Sequence, residues 1–221
     1  MLNRFDSIFV VLLLWTVYAE TEKVDAPPVS LGLYYESLCP YCRQFIVGQL
    51  WPTYSHLSVV MNLTLVPFGN AQVTKDGDKW KFTCQHGPNE CYSNIVQTCG
   101  LFYITSTKTS LNFIQCISAA DEPWQAGEKC AESLQLDWEA ISTCANGTHG
   151  NNLEYEMAKK TLSLDPPHQY SPWITLNGVH TEEIQDQAQN DLFDLICETY
   201  KGEKPSACNV TKRKPYTSNH V

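Results

Sequence analysis

The chain has 221 residues, 10 cysteines, 43% hydrophobic and 18% charged residues, and a formal charge of −9. That length suits one large domain, or one domain carrying an insertion, with enough core to fold without leaning on disulfides alone. The acidic balance argues against a nucleic-acid partner, which needs clustered positive charge.

The N-terminus reads as a targeting segment. Arg4 precedes the apolar run Ile8 to Val17, which is too short to cross a bilayer. Val17 and Ala19 stand where a signal peptidase reads small residues. Residues 1–19 are therefore expected to be a signal peptide, and 20–29, with Pro27-Pro28, a leader or pro-segment. No second long apolar run follows, so no membrane span is expected in the mature form. Sequons at Asn62, Asn146 and Asn209 fit glycan acceptance behind such a signal. The compartment is then disulfide-permissive, and the even cysteine count fits a bridged framework.

From Ser30 to Tyr35 the apolar alternation of Leu31, Leu33 and Tyr35 predicts a first strand. Cys39-Pro40-Tyr41-Cys42 follows at once. Phe45, Ile46 and Leu50 then recur at helical spacing, and Pro52 is expected to stop the helix. Val59 to Val66 predicts a second strand, with Met61, Leu63 and Leu65 on one face and Asn62 pointing outward. From about 84 to 164 the chain is cysteine-rich and mostly of helical period, which reads as a helical insertion. Trp173 to Leu176 predicts a short strand, Asn177-Gly178 a two-residue turn, and Val179-His180 the start of a partner strand. Ile184, Ala188, Leu192, Ile196 and Tyr200 mark a final helix. Residues 203–221 form a polar tail containing Cys208 and the basic triplet Lys212-Arg213-Lys214. The order β-α-β, helical insertion, β-β-α gives an α/β, thioredoxin-like fold over 30–202.

Cys39 and Cys42 carry the chemistry in this reading. Two cysteines separated by two residues on a first helical turn open and close a small-ring disulfide with little backbone movement. Cys39 stands at the helix N-terminus, where unpaired N–H groups and the helix dipole stabilise a thiolate. Cys42 lies deeper in the helix. Cys39 is therefore expected to attack and Cys42 to resolve the mixed disulfide. Pro40 suits the first turn because it has no N–H to lose. Ser171-Pro172 precedes the strand that would face this pair, so a cis proline is expected there, shaping the substrate groove. The dithiol holds the electrons itself, and the reading calls for no cofactor and no metal.

The segment Cys84 to Cys99, CQHGPNECYSNIVQTC, adds a long and specific signature. It resembles that of the gamma-interferon-inducible lysosomal thiol reductases at Cys84, Gln85, His86, Gly87, Glu90, Cys91, Asn94 and Cys99. Tyr34-Tyr35-Glu36, the run Leu65 to Ala71, Pro166-Pro167-His168 with Pro172-Trp173-Ile174, and Cys197 to Cys208 also look like the family. The resemblance implies reduction of protein disulfides in acidic endosomes or lysosomes, or a secreted destination, through Cys39 and Cys42. Disulfide-bonded proteins are then the substrates, and a small thiol or other reductant the electron donor. To stay reactive in acid, Cys39 would need a pKa lowered to about 4.5, within the range of CxxC sites.

Other readings stay open on sequence. The same fold and dithiol serve an oxidase or isomerase, since direction depends on potential. A secreted binding protein on this fold would have no need of the intact pair. His86 and His168 read as structural histidines. Cys84, Cys91 and Cys99 with His86 could ligate zinc, but they lack the tight paired spacing of structural zinc sites. Eight cysteines outside the CxxC allow 105 pairings. Only Cys197–Cys208 is assigned, because it would tie the final helix to the tail.

Overall fold

Val29–Tyr35 forms β1, the central strand of a three-stranded sheet. The computed structural model describes residues 26–209. The expected signal peptide, most of the leader and the basic triplet of the tail lie outside them. Both faces of β1 are covered, and Leu31, Leu33 and Tyr35 are fully buried. Its parallel neighbour β2, Met61–Pro67, pairs Leu33 with Leu65. Its antiparallel neighbour β5, Trp173–Leu176, pairs Leu33 with Ile174. A parallel pair needs a crossover connection, and the helical run between β1 and β2 supplies it.

That run differs from the expected single helix ending at Pro52. It comprises α1, Pro40–Phe45, a π-helical stretch Ile46–Leu50, and α2, Trp51–Leu57. Pro52 falls in the first turn of α2. There its missing N–H leaves no bond unmade, and the widened turn before it absorbs the change in register. Helical structure continues to Val60, so β2 starts two residues later than the alternation suggested.

A hairpin follows that sequence reading missed: β3, Gln72–Asp76, pairs with β4, Lys79–Thr83. Gly77 sits in its two-residue turn at φ 58°. Between β4 and β5 the chain is helical: α3 (Pro88–Tyr103), α4 (Thr107–Ala119), α5 (Gly127–Ser133), α6 (Trp138–Asn146) and α7 (Thr148–Leu162). After β5, the expected partner strand at Val179-His180 reduces to a single bridge, Leu176 with Val179. The last helix, α8, spans Glu182–Thr199.

Two cores meet at α4. Leu111 and Ile114 join the sheet-side core with Leu33, Ile46, Leu50, Ile174, Leu192 and Ile196. Phe113 and Ile117 join the core of the helical segment with Val96 and Ile141. Each of these buried side chains contributes about 1.5–3 kcal/mol, so truncating Leu33 to Ala costs about 2–5 kcal/mol. Arg43 on α1 locks the two halves together. Its Nε donates to Ser118 O over 2.9 Å and its Nη2 to Ala120 O over 2.6 Å, at the C-terminus of α4.

Candidate active site

The ten cysteines sort into two kinds. Eight are paired, as Cys84–Cys91, Cys99–Cys144, Cys116–Cys130 and Cys197–Cys208. Cys39 and Cys42 are free thiols. Cys39 caps the N-terminus of α1 with extended backbone, φ −60° and ψ 121°, and Pro40 takes the first helical position. Relative exposure is 5% at Cys39 and 0% at Cys42, while Tyr41 between them is 69% exposed.

These placements set the two thiols apart electrostatically. Cys39 is lowered to about 6. The hydrogen bond from the Cys42 thiol is the largest cause, with help from the backbone N–H groups of Cys42 and Tyr41 and the charge of His86. Burial opposes them, and the value stays above the 4.5 that full reactivity in acid was expected to need. Cys42 is pushed well up, by burial first and then by its bond to Cys39 and the charge there.

The strand facing the pair begins with a cis Ser171–Pro172 bond. Cys39 Sγ lies 3.7 Å from the Ser171 carbonyl oxygen. Gln185 on α8 braces this corner: its Nε2 donates to Pro172 O over 3.0 Å, and its Oε1 accepts from Ile174 N over 2.9 Å. His180 stacks on Trp173, ring centroids 3.4 Å apart, and its Nδ1 donates to Ile174 O over 2.7 Å. His168 lies with Nε2 3.4 Å from Ser171 Oγ, and burial, with the charge of His180, lowers its pKa. A second cis bond, Asp165–Pro166, had no counterpart in the sequence reading.

A group of residues that sequence reasoning missed adjoins the thiols. Glu36, in the turn between β1 and Cys39, is fully buried, and its N–H donates to Cys42 Sγ over 3.5 Å. Its Oε1 accepts from Asn70 N over 2.6 Å. The carboxyl is pushed up to about 7, by burial first, then by the charges of Glu90 and Cys39, against the Asn70 bond and the charge of His86. His86 Nδ1 donates to Glu90 Oε2 over 2.6 Å and stands 3.6 Å from Glu36 Oε2. His86 thus bears on the dithiol electrostatically and bonds Glu90, a role beyond the structural histidine of the sequence reading. The available signal was the signature itself, which carries His86 and Glu90 four residues apart, on either side of the start of α3.

The remaining expected positions are placed as follows. The Cys197–Cys208 bond ties α8 to the short 3-10 turn Ser206–Asn209. Asn62, Asn146 and Asn209 are exposed. The sulfurs of Cys84, Cys91 and Cys99 are bonded in disulfides, which removes them as zinc ligands. Among the described residues, no helix is long and apolar enough to cross a membrane.

A free CxxC at a strand-to-helix junction, facing a cis proline, defines a thiol–disulfide oxidoreductase of thioredoxin-like fold. The same fold appears in the crystal structure of Chlamydia trachomatis DsbA, with TM-score 0.51 and 12% identity over 73% of this chain and 85% of that one. Residues 30–134 match the family model described as gamma interferon inducible lysosomal thiol reductase. A gamma-interferon-inducible lysosomal thiol reductase of Carassius auratus is 44% identical over 200 residues, covering 90% of this chain and 79% of that one. The protein of that name in Mus musculus is 37% identical over 86% of this chain and 75% of its own length. A gamma-interferon-responsive lysosomal thiol protein of Arabidopsis thaliana is 39% identical over 82% and 76%. This chain belongs to the gamma-interferon-inducible lysosomal thiol reductase family, and it is a thiol–disulfide reductase.

Proposed function

We propose that the chain reduces disulfides of protein substrates in acidic endosomes or lysosomes, with Cys39 as attacking thiol and Cys42 as resolving thiol. The observation that carries this is the opposite tuning of two adjacent free thiols, Cys39 lowered to about 6 and Cys42 raised well above the ordinary value. The Cys39 thiolate attacks one sulfur of the substrate disulfide and the other leaves as thiolate, which takes up a proton. Cys39 is then neutral in the mixed disulfide. Its charge and its claim on the Cys42 proton disappear, and both had held Cys42 up. Cys42 loses its proton more readily at that stage and attacks Cys39 Sγ, releasing the second substrate thiol. Two electrons pass to the substrate and a Cys39–Cys42 disulfide remains. A small thiol or other reductant restores the dithiol.

Pro172 and the Ser171 carbonyl, beside Cys39, form the wall on which the substrate backbone is positioned. Exposed Tyr41 offers an apolar surface next to the reacting sulfur. The acidic destination is supported by the lysosomal names of the relatives and by the signal-like N-terminus, and exposed Asn62, Asn146 and Asn209 suit glycan acceptance. The test is insulin-disulfide reduction by purified protein at pH 5 and pH 7, with the reduction potential of the dithiol measured alongside. Turnover lost in Cys39→Ser supports the reading. Turnover retained in that variant overturns it, and a potential as oxidising as that of dedicated oxidases points to the reverse direction.

A further inference from the structure

Glu36, His86 and Glu90 come from two segments: the turn after β1, and the loop closed by the Cys84–Cys91 disulfide, whose end forms the first turn of α3. Their ligand atoms converge within 4.8 Å of one another. Both carboxylates have fully buried side chains, while the His86 side chain is one-third exposed and opens the group to solvent.

The hydrogen-bond inventory of this group does not close. Glu90 is served at both oxygens, by His86 N over 3.1 Å and by His86 Nδ1. Glu36 Oε1 is served by Asn70 N. Glu36 Oε2 is buried, faces His86 Nδ1, and has no hydrogen-bond partner. Ionised, it leaves a charged acceptor unmet; protonated, it leaves a donor unmet. Either state carries the cost of an unsatisfied buried group. Charge also fails to balance, since one imidazole brings at most one positive charge against two carboxylates. Buried charges are ordinarily paired or coordinate a metal.

We propose that Glu36 Oε2, His86 Nδ1 and Glu90 Oε2 form a binding site for a zinc-class divalent cation beside the dithiol, and that its occupation suppresses turnover. A nitrogen and two carboxylate oxygens suit zinc and leave a fourth position open. Metal–ligand bonds of about 2.0–2.2 Å put tetrahedral ligand atoms about 3.3 Å apart. The two His86 separations, 2.6 Å and 3.6 Å, bracket that value, and the third pair lies within 4.8 Å. The supports are already in place. Ser37 Oγ donates to Glu90 O over 3.3 Å, Ser37 N to Asn94 Oδ1 over 2.9 Å, and the disulfide closes the loop that bears His86. The Cys39 thiolate senses the charges of both Glu36 and His86. A divalent cation among them attracts that thiolate and withholds it from substrate. This last step rests on Cys39 being the attacking thiol; the binding itself does not.

The dithiol could capture zinc by itself, so binding is measured in full-length protein carrying Cys39→Ser and Cys42→Ser together. Calorimetric titration of Zn²⁺ at pH 7 should give one site, weakened about tenfold or more by a further His86→Ala or Glu36→Gln. His86→Ala keeps the test decisive if the buried Glu36 variant does not fold. Absence of binding in the doubly substituted protein, or equal affinity after His86→Ala, overturns the site. In protein with intact cysteines, Zn²⁺ should slow insulin reduction reversibly on chelation. Relative to its own metal-free rate, the His86→Ala variant should be slowed less. Equal inhibition of both overturns the regulatory half and assigns the effect to the dithiol. Activity without added metal reports separately on the reductase reading.

Discussion

The backbone N–H of Glu36 points at Cys42 Sγ across 3.5 Å. The turn after β1 therefore holds a buried carboxyl against a buried thiol of α1, and the charge of Glu36 helps push Cys42 up. The first expectations concern that thiol and its partner.

Alkylation of Cys39 in the reduced protein should titrate with a midpoint near 6. At pH 5 such a thiol is about 9% thiolate, against about 0.03% for a free thiol of pKa about 8.5. Intrinsic nucleophilicity falls with pKa and returns part of this, leaving a net gain of about 20-fold at pH 5. The thiolate fraction still rises from pH 5 to pH 7, so Cys39 alone gives retained activity in acid rather than an acid optimum. Because the Cys42 thiol is the largest cause of the lowering, Cys42→Ala should move the midpoint upward. An unchanged midpoint would contradict the assignment of that hydrogen bond.

Cys42→Ser should accumulate a mixed disulfide between Cys39 and substrate, visible as a mass adduct that thiol reductant releases. Cys39→Ser should form none. An adduct mapped to Cys42 in the Cys39→Ser protein would reverse the two roles.

Glu154 on α7 is buried, accepts from Thr98 Oγ1 over 2.7 Å, and is pushed up to about 8 by that burial. A carboxyl raised in the folded state holds its proton longer than in the unfolded chain. Its stability contribution is full below the unfolded value near 4.5 and is lost as pH rises to about 8. Within that window one such group changes stability by about 1.4 kcal/mol per pH unit. Glu36, raised to about 7, acts in the same direction. Denaturant unfolding at pH 5 and pH 8 should find the protein more stable in acid. Glu154→Gln should flatten the difference; an identical pH slope in that variant would remove Glu154 as its source.

Gly69 has φ 58°, and a Cβ there would collide with Glu36 Cγ and come within 2.6 Å of Ser171 Oγ. Gly69→Ala should destabilise by at least about 1–2 kcal/mol from the left-handed backbone alone. It should also lower turnover, since the two residues it displaces flank Cys39 and Cys42. Wild-type stability and rate in this variant would show that the turn relaxes freely.

Glycosidase treatment of protein made in a secretory host should lower its apparent mass, with occupancy among exposed Asn62, Asn146 and Asn209 read by peptide mass spectrometry. Unmodified peptides at all three positions would contradict the secretory reading.

The dithiol was legible because two local signals coincide at Cys39: strand alternation ending at Tyr35 and helical spacing beginning at Phe45. The hairpin Gln72–Thr83 was not, because its strands are largely exposed and only Val73, Trp80 and Phe82 are half-buried. Its one clear mark was the turn pair Gly77-Asp78. Pro52 misled because a proline that ends a helix and one that opens the next turn look alike in sequence. The group around Glu36 needed the fold itself. Strand β1 delivers Glu36 and the first turn of α3 delivers Glu90, and no local periodicity relates those two segments.

The Cys99–Cys144 and Cys116–Cys130 bonds join cysteines 45 and 14 positions apart within the helical half of the molecule, each closing a loop. The shorter loop lies inside the longer one. A protease that nicks the backbone anywhere between Cys99 and Cys144 therefore leaves the two pieces covalently joined. The cut ends stay tethered beside the cores they came from, and the dithiol keeps its scaffold. Covalent continuity is thereby uncoupled from backbone continuity: one cut in this stretch opens the chain without releasing a fragment.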